Sequence, residues 1–360
     1  MQFTNDIHSK STSYITATRC VLFKVFTMII LGVLTELSYA NIHGQIETAN
    51  NTLSTKNWHI TTEAVAYLYN YEWFEEHGAQ GYTLFGNIAP IYASRQLNSR
   101  VELDIGAIGF IKYGSDSQNT IKPLFRLNID LNNDQNLILG VLNQSHDIHQ
   151  GLSMDNDFYQ QQVEQGIQYL NSSQRNNMDL WANWKVAETE NTAEYFEVGA
   201  IHSNRFLKSK NMHLFTNEQI FITHKGGQET NDNQFEKGTW LQMKLGGQYR
   251  DNQISVALLS SKYENELINN KLATAFQVNY NKTWNRINNK IKLNASHFIN
   301  NQFYNPKGHT GYNQKSFSNI SIESNWLRSD QLSISTGLSL DWINGSFSTV
   351  QYLNISLIAK

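Results

Sequence analysis

Apolar and polar residues alternate along most of this chain with a period of two. In the segment 332–342, one face carries apolar side chains and the other carries mostly serine. The segments 122–131, 177–187, 238–250 and 271–284 repeat the pattern. Because successive side chains of a β-strand point to opposite faces, each segment predicts a strand with one apolar and one polar face.

Strands predicted in this way are about sixteen in number. They lie near residues 57–71, 82–93, 97–111, 122–131, 135–143, 165–171, 177–187, 194–202, 218–225, 238–250, 252–260, 271–284, 288–298, 316–327, 330–342 and 347–359. Short polar turns alternate with longer loops such as 144–164 and 299–315, which is typical of an up-and-down barrel. Residues 203–217 break this rhythm, so a missed strand there is an alternative.

Residues 18–40 have the pattern of an export signal. Arg19 and Lys24 supply positive charge around the start of an apolar run at 25–34, and small residues follow. The run is shorter than the roughly 20 residues of a membrane-spanning helix, although an uncleaved anchor is an alternative. The predicted domains are a removed signal peptide at 1–40, a short N-terminal segment at 41–56 and a barrel at 57–360.

Composition restricts the class of protein further. Charged residues make up 16% of the chain and hydrophobic residues 40%, so uncharged polar residues fill the difference. An ordinary soluble domain carries about 25% charged residues. The 18 Phe, 17 Tyr and 8 Trp argue against disorder, and the net charge of -3 gives no support for a nucleic-acid partner. A single cysteine, Cys20, excludes an internal disulfide and a Cys-rich metal site.

Two architectures are compatible with this alternation: a soluble β-sandwich or β-helix, and a barrel in a membrane. A soluble fold of this size would carry more charge on its outside, whereas a membrane barrel turns apolar side chains to lipid and polar ones to its lumen. Aromatic residues near predicted strand ends, such as Trp58, Tyr249 and Trp284, fit the membrane interface. The predicted fold is therefore all-β, a membrane-spanning antiparallel up-and-down β-barrel of about sixteen strands.

In this pattern the chain resembles Gram-negative outer-membrane β-barrel proteins of porin size, over roughly residues 57–360. The segments 140–152, 164–168 and 179–184 look like a signature shared with bacterial barrels of uncharacterised activity. The resemblance implies a location in the cell outer membrane, and it implies no catalytic residue.

Ionisable residues are densest in the third long loop. In sixteen-stranded porins this loop often folds into the barrel and narrows it, which requires charged and hydrogen-bonding groups. An exposed, solvated loop and a metal site built from Asp-x-His are the alternatives. The candidate constriction residues in and beside this loop are His146, Asp147, His149, Asp155, Asp157 and Glu164.

A second group of candidates shares the inward faces of the predicted strands. Cross-lumen ion pairs and water-lined walls are the expected roles, with acid–base chemistry between facing carboxylates as the alternative. An inward Trp181 beside many Asn and Gln would suit sugar hydroxyls. The pore-lining candidates are Glu102, Asp104, Arg126, Asp130, Asp179 and Trp181.

Residues 199–204 resemble the His-x-Ser-Asn element of outer-membrane phospholipases. That chemistry requires His and Ser on the same strand face, at positions i and i+2. His202 and Ser203 are adjacent and so point to opposite faces. Serine hydrolysis at this position is therefore disfavoured.

These patterns predict an outer-membrane channel for passive diffusion of small polar solutes, saccharides among them, and predict that the protein is not an enzyme. Export or assembly of a surface polysaccharide is the first alternative, and hydrolysis of a lipid or glycan is the second. The predicted partners are outer-membrane lipids, small polar solutes and further copies of the chain in a homo-oligomer, without nucleic acid. No cofactor and no metal are predicted.

Overall fold

The chain divides into the units Met1–Thr55 and Lys56–Lys360, and the described residues all belong to the second. The computed structural model describes residues 58–73, 81–114, 119–143, 146–154, 163–173, 175–209, 211–226, 235–269, 272–286, 289–328, 331–343 and 345–359. The predicted signal peptide, the segment 41–56, Asp155 and Asp157 lie outside these ranges. Within them, no helix is long and apolar enough to cross a membrane.

Sixteen strands and one short 3₁₀ helix, Thr310–Asn313, make up the described fold. The strands are β1 His59–Trp73, β2 Tyr82–Asn98, β3 Val101–Lys112, β4 Thr120–Asp130, β5 Gln135–Val141, β6 Gln165–Ser172, β7 Asn176–Val186, β8 Tyr195–Lys208, β9 Met212–Lys225, β10 Glu236–Tyr249, β11 Asn252–Asn265, β12 Ala273–Arg286, β13 Asn289–Asn301, β14 Ser316–Arg328, β15 Leu332–Ile343 and β16 Ser346–Ala359.

The strands form one closed antiparallel barrel in chain order. β1 closes the ring because it pairs with β2 on one side and with β16 on the other; Tyr69, for example, lies opposite Leu84 and Tyr352. A closed sheet has no free edge, so its backbone polar groups are paired within the wall. The predicted fold class and strand number are confirmed.

The two ends of the barrel differ in their connections. At the end that we call the turn end, links such as β2–β3 and β10–β11 are short. At the opposite end, the loop end, the β5–β6 loop occupies 142–164 and the β13–β14 loop occupies 302–315. The irregular segment 203–217 is strand for most of its length, because β8 ends at Lys208 and β9 begins at Met212. Polar side chains on both faces of this segment hide its alternation.

The outer face of the wall is apolar. On β10, Met243 and Leu245 are exposed, whereas Trp240 and Gln242 point inward and are buried. The same sidedness leaves Ile121 on β4 78% exposed. An apolar band around a closed barrel is the surface that a lipid bilayer covers.

The interior has two different halves. Apolar side chains, including Trp240, Phe298 and Phe303, pack into a buried core toward the loop end. A second apolar cluster around Tyr67 and Phe110 fills the neighbouring part of the wall. Toward the turn end, the part of the wall formed by β12 to β16 carries many Asn and Ser side chains. The barrel is therefore filled at one end and polar at the other.

A charge on the outer face should destabilise this barrel far more than the same charge in the lumen. We expect Met243→Arg, at the middle of β10, to lower the free energy of unfolding by about 2–4 kcal/mol, because it places a guanidinium in hydrocarbon. The control Asn281→Arg faces the polar lumen and should cost much less. Denaturant unfolding in lipid vesicles measures both, and equal costs would contradict a lipid-facing β10.

Candidate functional site

Two loops at the loop end fold into the barrel. In the β5–β6 loop, the backbone N–H of His149 donates to Gln219 Oε1 on β9 at 2.7 Å. The His149 ring Nε2 lies 2.7 Å from Gln277 Oε1 on β12. In the β13–β14 loop, the carbonyl of Tyr304 accepts from the indole N–H of Trp240 on β10 at 2.9 Å. Both loops therefore reach strands far from their own ends.

The two loops also bind each other. The side-chain amide of Asn305 donates to the carbonyls of Gly151 at 2.7 Å and Leu152 at 2.6 Å. The backbone N–H of Met154 donates to the Lys307 carbonyl at 2.9 Å. Asn305 and Leu152 are completely buried. The described parts of the two loops, 146–154 and 302–315, therefore form one plug inside the loop-end half of the lumen.

His146 is the centre of the polar cluster at the base of this plug. Its Nδ1 lies 2.7 Å from Asp179 Oδ2 on β7, and its Nε2 lies 2.9 Å from Glu164 Oε2. Gln168 on β6 donates from Nε2 to the second carboxylate oxygen of Asp179 at 2.9 Å. Three segments that are distant in sequence thus meet on one imidazole ring.

The ring of His146 also stacks on Trp181, with centroids 3.7 Å apart and an interplanar angle of 10°. Trp181 has room to lie flat because Gly199 stands opposite it on β8. A Cβ at Gly199 would lie 1.9 Å from the indole ring. The missing side chain therefore sets the position of Trp181, and Trp181 in turn positions His146.

The electrostatics of the cluster favour a charged imidazole. Burial alone lowers the pKa of His146, but the hydrogen bonds and charges of Asp179 and Glu164 outweigh it and raise the pKa to about 9. Both ring nitrogens then carry protons and donate to carboxylates. With both nitrogens occupied, His146 is suited to hold the loop on the wall and has no lone pair for a metal or a substrate proton.

The polar network continues into the neighbouring wall. The backbone N–H of Asn143 donates to Gln168 Oε1 at 2.9 Å, and Asn143 Oδ1 accepts from Arg126 at 3.2 Å. Arg126 Nε lies 3.0 Å from the buried carboxylate of Asp104. Asp104 on β3 and Arg126 on β4 are therefore linked through Asn143, at the start of the β5–β6 loop, to Gln168 on β6 and so to Asp179 on β7.

His149 is held in the opposite protonation state. Its Nδ1 accepts from the backbone N–H of Gly151 at 3.0 Å, which leaves Nε2 to donate to Gln277. Burial, with a smaller contribution from the charge of Lys244, lowers the pKa of His149 to about 3. This imidazole is neutral at ordinary pH, and it is matched by the neutral amides of Gln219 and Gln277.

The structure brings some predicted site residues together and separates others. His146, Glu164, Asp179 and Trp181 form the cluster, and Asp104 and Arg126 join it through Asn143. The remaining candidates lie apart: Asp147 beside the cavity, Asp130 bonded to Asn136 at the turn end, and Glu102 on the inward face of β3. Their role as a constriction stays a prediction.

Several residues that form the plug or hold it to the wall were not among the predicted site residues. Gln219 and Gln277 lie on the polar faces of their predicted strands, so the alternation signals that they point inward. His309, whose Nε2 lies 3.4 Å from Asp341 Oδ2, and Asn305 sit in a loop without a periodic signal. The sequence does not reveal which loop each wall residue contacts, because those contacts span most of the barrel.

A cavity of about 610 Å³ lies between the plug and the wall. Its lining includes Asn279 and Asn281 on β12 and Asn294 on β13. Asn294 donates to Ser321 at 3.2 Å, and Asn319 donates to both Ser339 and Asp341. The wall of this cavity is therefore a cross-strand array of amide and hydroxyl groups.

His202 and Ser203 on β8, the disfavoured site for serine hydrolysis, lie on opposite faces of the barrel wall, as their spacing predicts. His202 Nδ1 lies 2.9 Å from Glu218 Oε2 on the outer face. Ser203 accepts from the Asn217 amide at 2.8 Å on the inner face. Among the described residues, no group of three or more His, Cys, Asp or Glu side chains has the arrangement of a metal site.

A closed sixteen-stranded wall with an apolar outer face and polar groups inside defines an outer-membrane β-barrel protein. The sequence matches the family described as Lipid A 3'-O-deacylase-type over residues 48–342, and the chain belongs to that family. None of the curated proteins matches the chain.

Solved outer-membrane proteins share the fold. The loop L8 deletion mutant of OmpT from Vibrio cholerae has a TM-score of 0.52 at 8% identity, over 85% of this chain and 100% of that one. OprD from Pseudomonas aeruginosa has a TM-score of 0.51 at 9% identity, over 83% of this chain and 94% of that one. At such identities the likeness concerns the fold alone.

The family corrects one prediction. The expectation that the protein is not an enzyme is wrong, because the family is named for an enzymatic activity. Alternation describes the shape of the wall and the sidedness of its residues. It does not reveal which polar residues carry out a reaction, so the sequence pattern had no means of detecting the activity.

The charge on His146 should make stability fall with rising pH. The pKa of His146 is about 9 in the folded protein against 6.5 for a free imidazole, so its contribution is complete below about pH 6.5 and is lost as pH rises through about 9. A shift of this size corresponds to about 3 kcal/mol. Denaturant unfolding of wild type and His146→Gln across this range measures the difference.

The control for this experiment is His202→Gln, which removes an outer-face imidazole paired with one carboxylate. The advantage of wild type over His146→Gln should shrink as pH rises from about 6.5 to about 9 and stay small above that range. An advantage that is constant with pH would show that His146 is not charged in the folded protein.

Proposed function

We propose that this protein is an outer-membrane hydrolase that removes an ester-linked acyl chain from a lipid A-type glycolipid. The observation that carries the proposal is the family match over residues 48–342. The reaction consumes one water, releases a fatty acid and leaves a hydroxyl on the glycolipid. Outer-membrane lipids, predicted as partners, would then include the substrate.

The filled interior supports this proposal. His149 and Asn305 tie the plug to the wall and to itself with buried hydrogen bonds. Trp240 and Phe298 pack beside it with no exposed surface. A core of this kind gives the barrel a rigid wall against which a lipid can be held, and rigid walls position reacting groups best.

The substrate also determines where the chemistry should occur. A glycolipid in the bilayer places its acyl chains against the apolar outer face and its sugar at the membrane surface. Its ester bonds lie between the two, level with the ends of the strands. A catalytic group would then be a polar group on the outer face near the loop end. Export through residues 1–40 and a homo-oligomer stay predictions.

Hydrolysis is tested with full-length protein refolded into vesicles that contain lipid A. We expect lipid A to lose the mass of one acyl chain and an equal amount of fatty acid to appear, both measured by mass spectrometry. Heat-unfolded protein is the control for chemical hydrolysis. Lipid A of unchanged mass in the presence of folded barrel would contradict the proposal, and loss of acyl chains from phospholipid alone would contradict the substrate.

Passage of small polar solutes is a second candidate function. The polar cavity beside the plug favours it, because amides and hydroxyls can replace the hydration of a sugar or other uncharged solute. The plug would then have to move for the solute to pass. Polysaccharide export stays a prediction of the sequence pattern.

Conductance in planar bilayers tests this second candidate. Asn305→Ala removes the two hydrogen bonds that join the loops, so a channel gated by the plug should open more often in this variant than in wild type. Asn325→Ala, in the cavity wall near the turn end, is the control and should leave opening unchanged. Bilayers that stay silent with wild type and Asn305→Ala would exclude a channel of this kind.

A further inference from the structure

Polar side chains form a straight row across the wall of the cavity beside the plug. Asn281, Asn294, Ser321 and Ser339 lie on β12 to β15, each directly opposite the next, and all four line the cavity. We call them the polar row. Neighbouring strands are about 4.8 Å apart, so the row presents an amide or a hydroxyl at each step of that length. A ligand with several hydroxyl groups can therefore bind the row at more than one point.

An aromatic ring lies beside the polar row. Tyr352 on β16 lines the cavity, and Gly337 on β15 is directly opposite it. A Cβ at Gly337 would lie 2.0 Å from the Tyr352 ring, so the ring occupies the space above the glycine. Gly337 is two residues, about 7 Å, from Ser339 along the same strand. The glycine thus lets the tyrosine lie along the wall and add an apolar surface next to the row.

The charged groups in and around the cavity are balanced. Glu323 Oε2 lies 3.8 Å from Lys292 Nζ, and Asp341 Oδ2 lies 3.4 Å from His309 Nε2. The remaining charged residues of the lining have opposite signs and are Lys244 and Asp147. A charged ligand would have to compete with these partners, whereas an uncharged polar ligand would not. The electrostatics therefore favour a neutral molecule.

The structure also changes which aromatic residue is suited to a sugar. Trp181, the residue that the sequence pattern offers for this purpose, stacks on His146 at the base of the plug. Tyr352 instead lies at the cavity, beside amides and hydroxyls. A sugar ring has C–H groups on its faces and hydroxyls around its edge. An aromatic surface next to a row of amides matches both parts of such a ring.

We infer that this cavity is a binding site for a short neutral oligosaccharide. Tyr352 stacks on the face of one sugar ring, and the polar row binds the hydroxyls. The cavity volume of about 610 Å³ lies within the range of small-molecule sites. Binding of this kind requires neither hydrolysis of lipid A nor passage of a solute through the barrel.

Equilibrium binding to refolded full-length protein tests the site. Phosphatidylcholine nanodiscs hold the barrel without a sugar-based detergent, and titration calorimetry measures affinity. The probes are two neutral trisaccharides, maltotriose and triacetylchitotriose, and the anionic trigalacturonate. We expect saturable binding of at least one neutral probe. Trigalacturonate should bind at least about 10-fold more weakly, because its carboxylates would lose water without gaining a partner.

Three variants change the site in different ways. Tyr352→Ala should weaken binding of the neutral probe about 10-fold, because it removes the stacking surface. Gly337→Ala should also weaken binding, because its Cβ displaces the ring without removing a polar group. Asn294→Ala removes an amide from the middle of the polar row and should weaken binding a few-fold. The matched control is Tyr280→Ala, an outer-face tyrosine of β12, which should keep wild-type affinity.

Far-UV circular dichroism establishes that each protein is folded, and the outcomes separate the parts of the inference. Folded wild type that binds neither neutral probe overturns the site. Binding that is equally tight in wild type, Tyr352→Ala and Gly337→Ala overturns the role of the tyrosine. Equal affinity for trigalacturonate overturns the neutral class of ligand. Lipid A deacylation by the same preparation is measured separately, so failure of either proposal leaves the other standing.

Discussion

Every other feature of this protein depends on closing a sheet in a solvent that offers no hydrogen bonds. In hydrocarbon, an unpaired backbone amide or carbonyl costs several kcal/mol. Pairing β1 with β16 removes both edges of the sheet at once. Closure also separates the two faces of each strand, one toward lipid and one toward an enclosed lumen. The outer residues then have to be apolar, and the inner ones are free to be polar.

Two loops fill the lumen from the loop end. The β5–β6 loop carries two buried histidines that are held in different protonation states. His146 is held as a cation between Asp179 and Glu164, whereas His149 is held neutral between amides. Each arrangement satisfies a buried imidazole in the protonation state that its surroundings favour. The apolar core around Trp240 completes the filling. The loop-end half of the barrel is therefore packed like the core of a soluble domain.

Because the lumen is filled, the barrel fold and the family point to different functions. Likeness to OmpT and OprD concerns the wall, whereas the family concerns a reaction on a lipid. A lipid reaches the outer face without entering the lumen, so a reaction on a lipid and an occupied interior are compatible. The polar cavity near the turn end is the part of the molecule that most resembles a passage for solutes.

The sixteen strands and the inward side of Asp104, Asp179 and Trp181 follow from the sequence by itself, because a period of two is a local property of an extended chain. Only the tertiary structure decided that His146 meets Asp179 and that Asn305 joins the two loops. These contacts depend on strand register, on ring closure and on loops that cross the lumen. The contact of Asn305 with Gly151, for example, joins residues 154 positions apart, and the alternation of neighbouring residues carries no record of it.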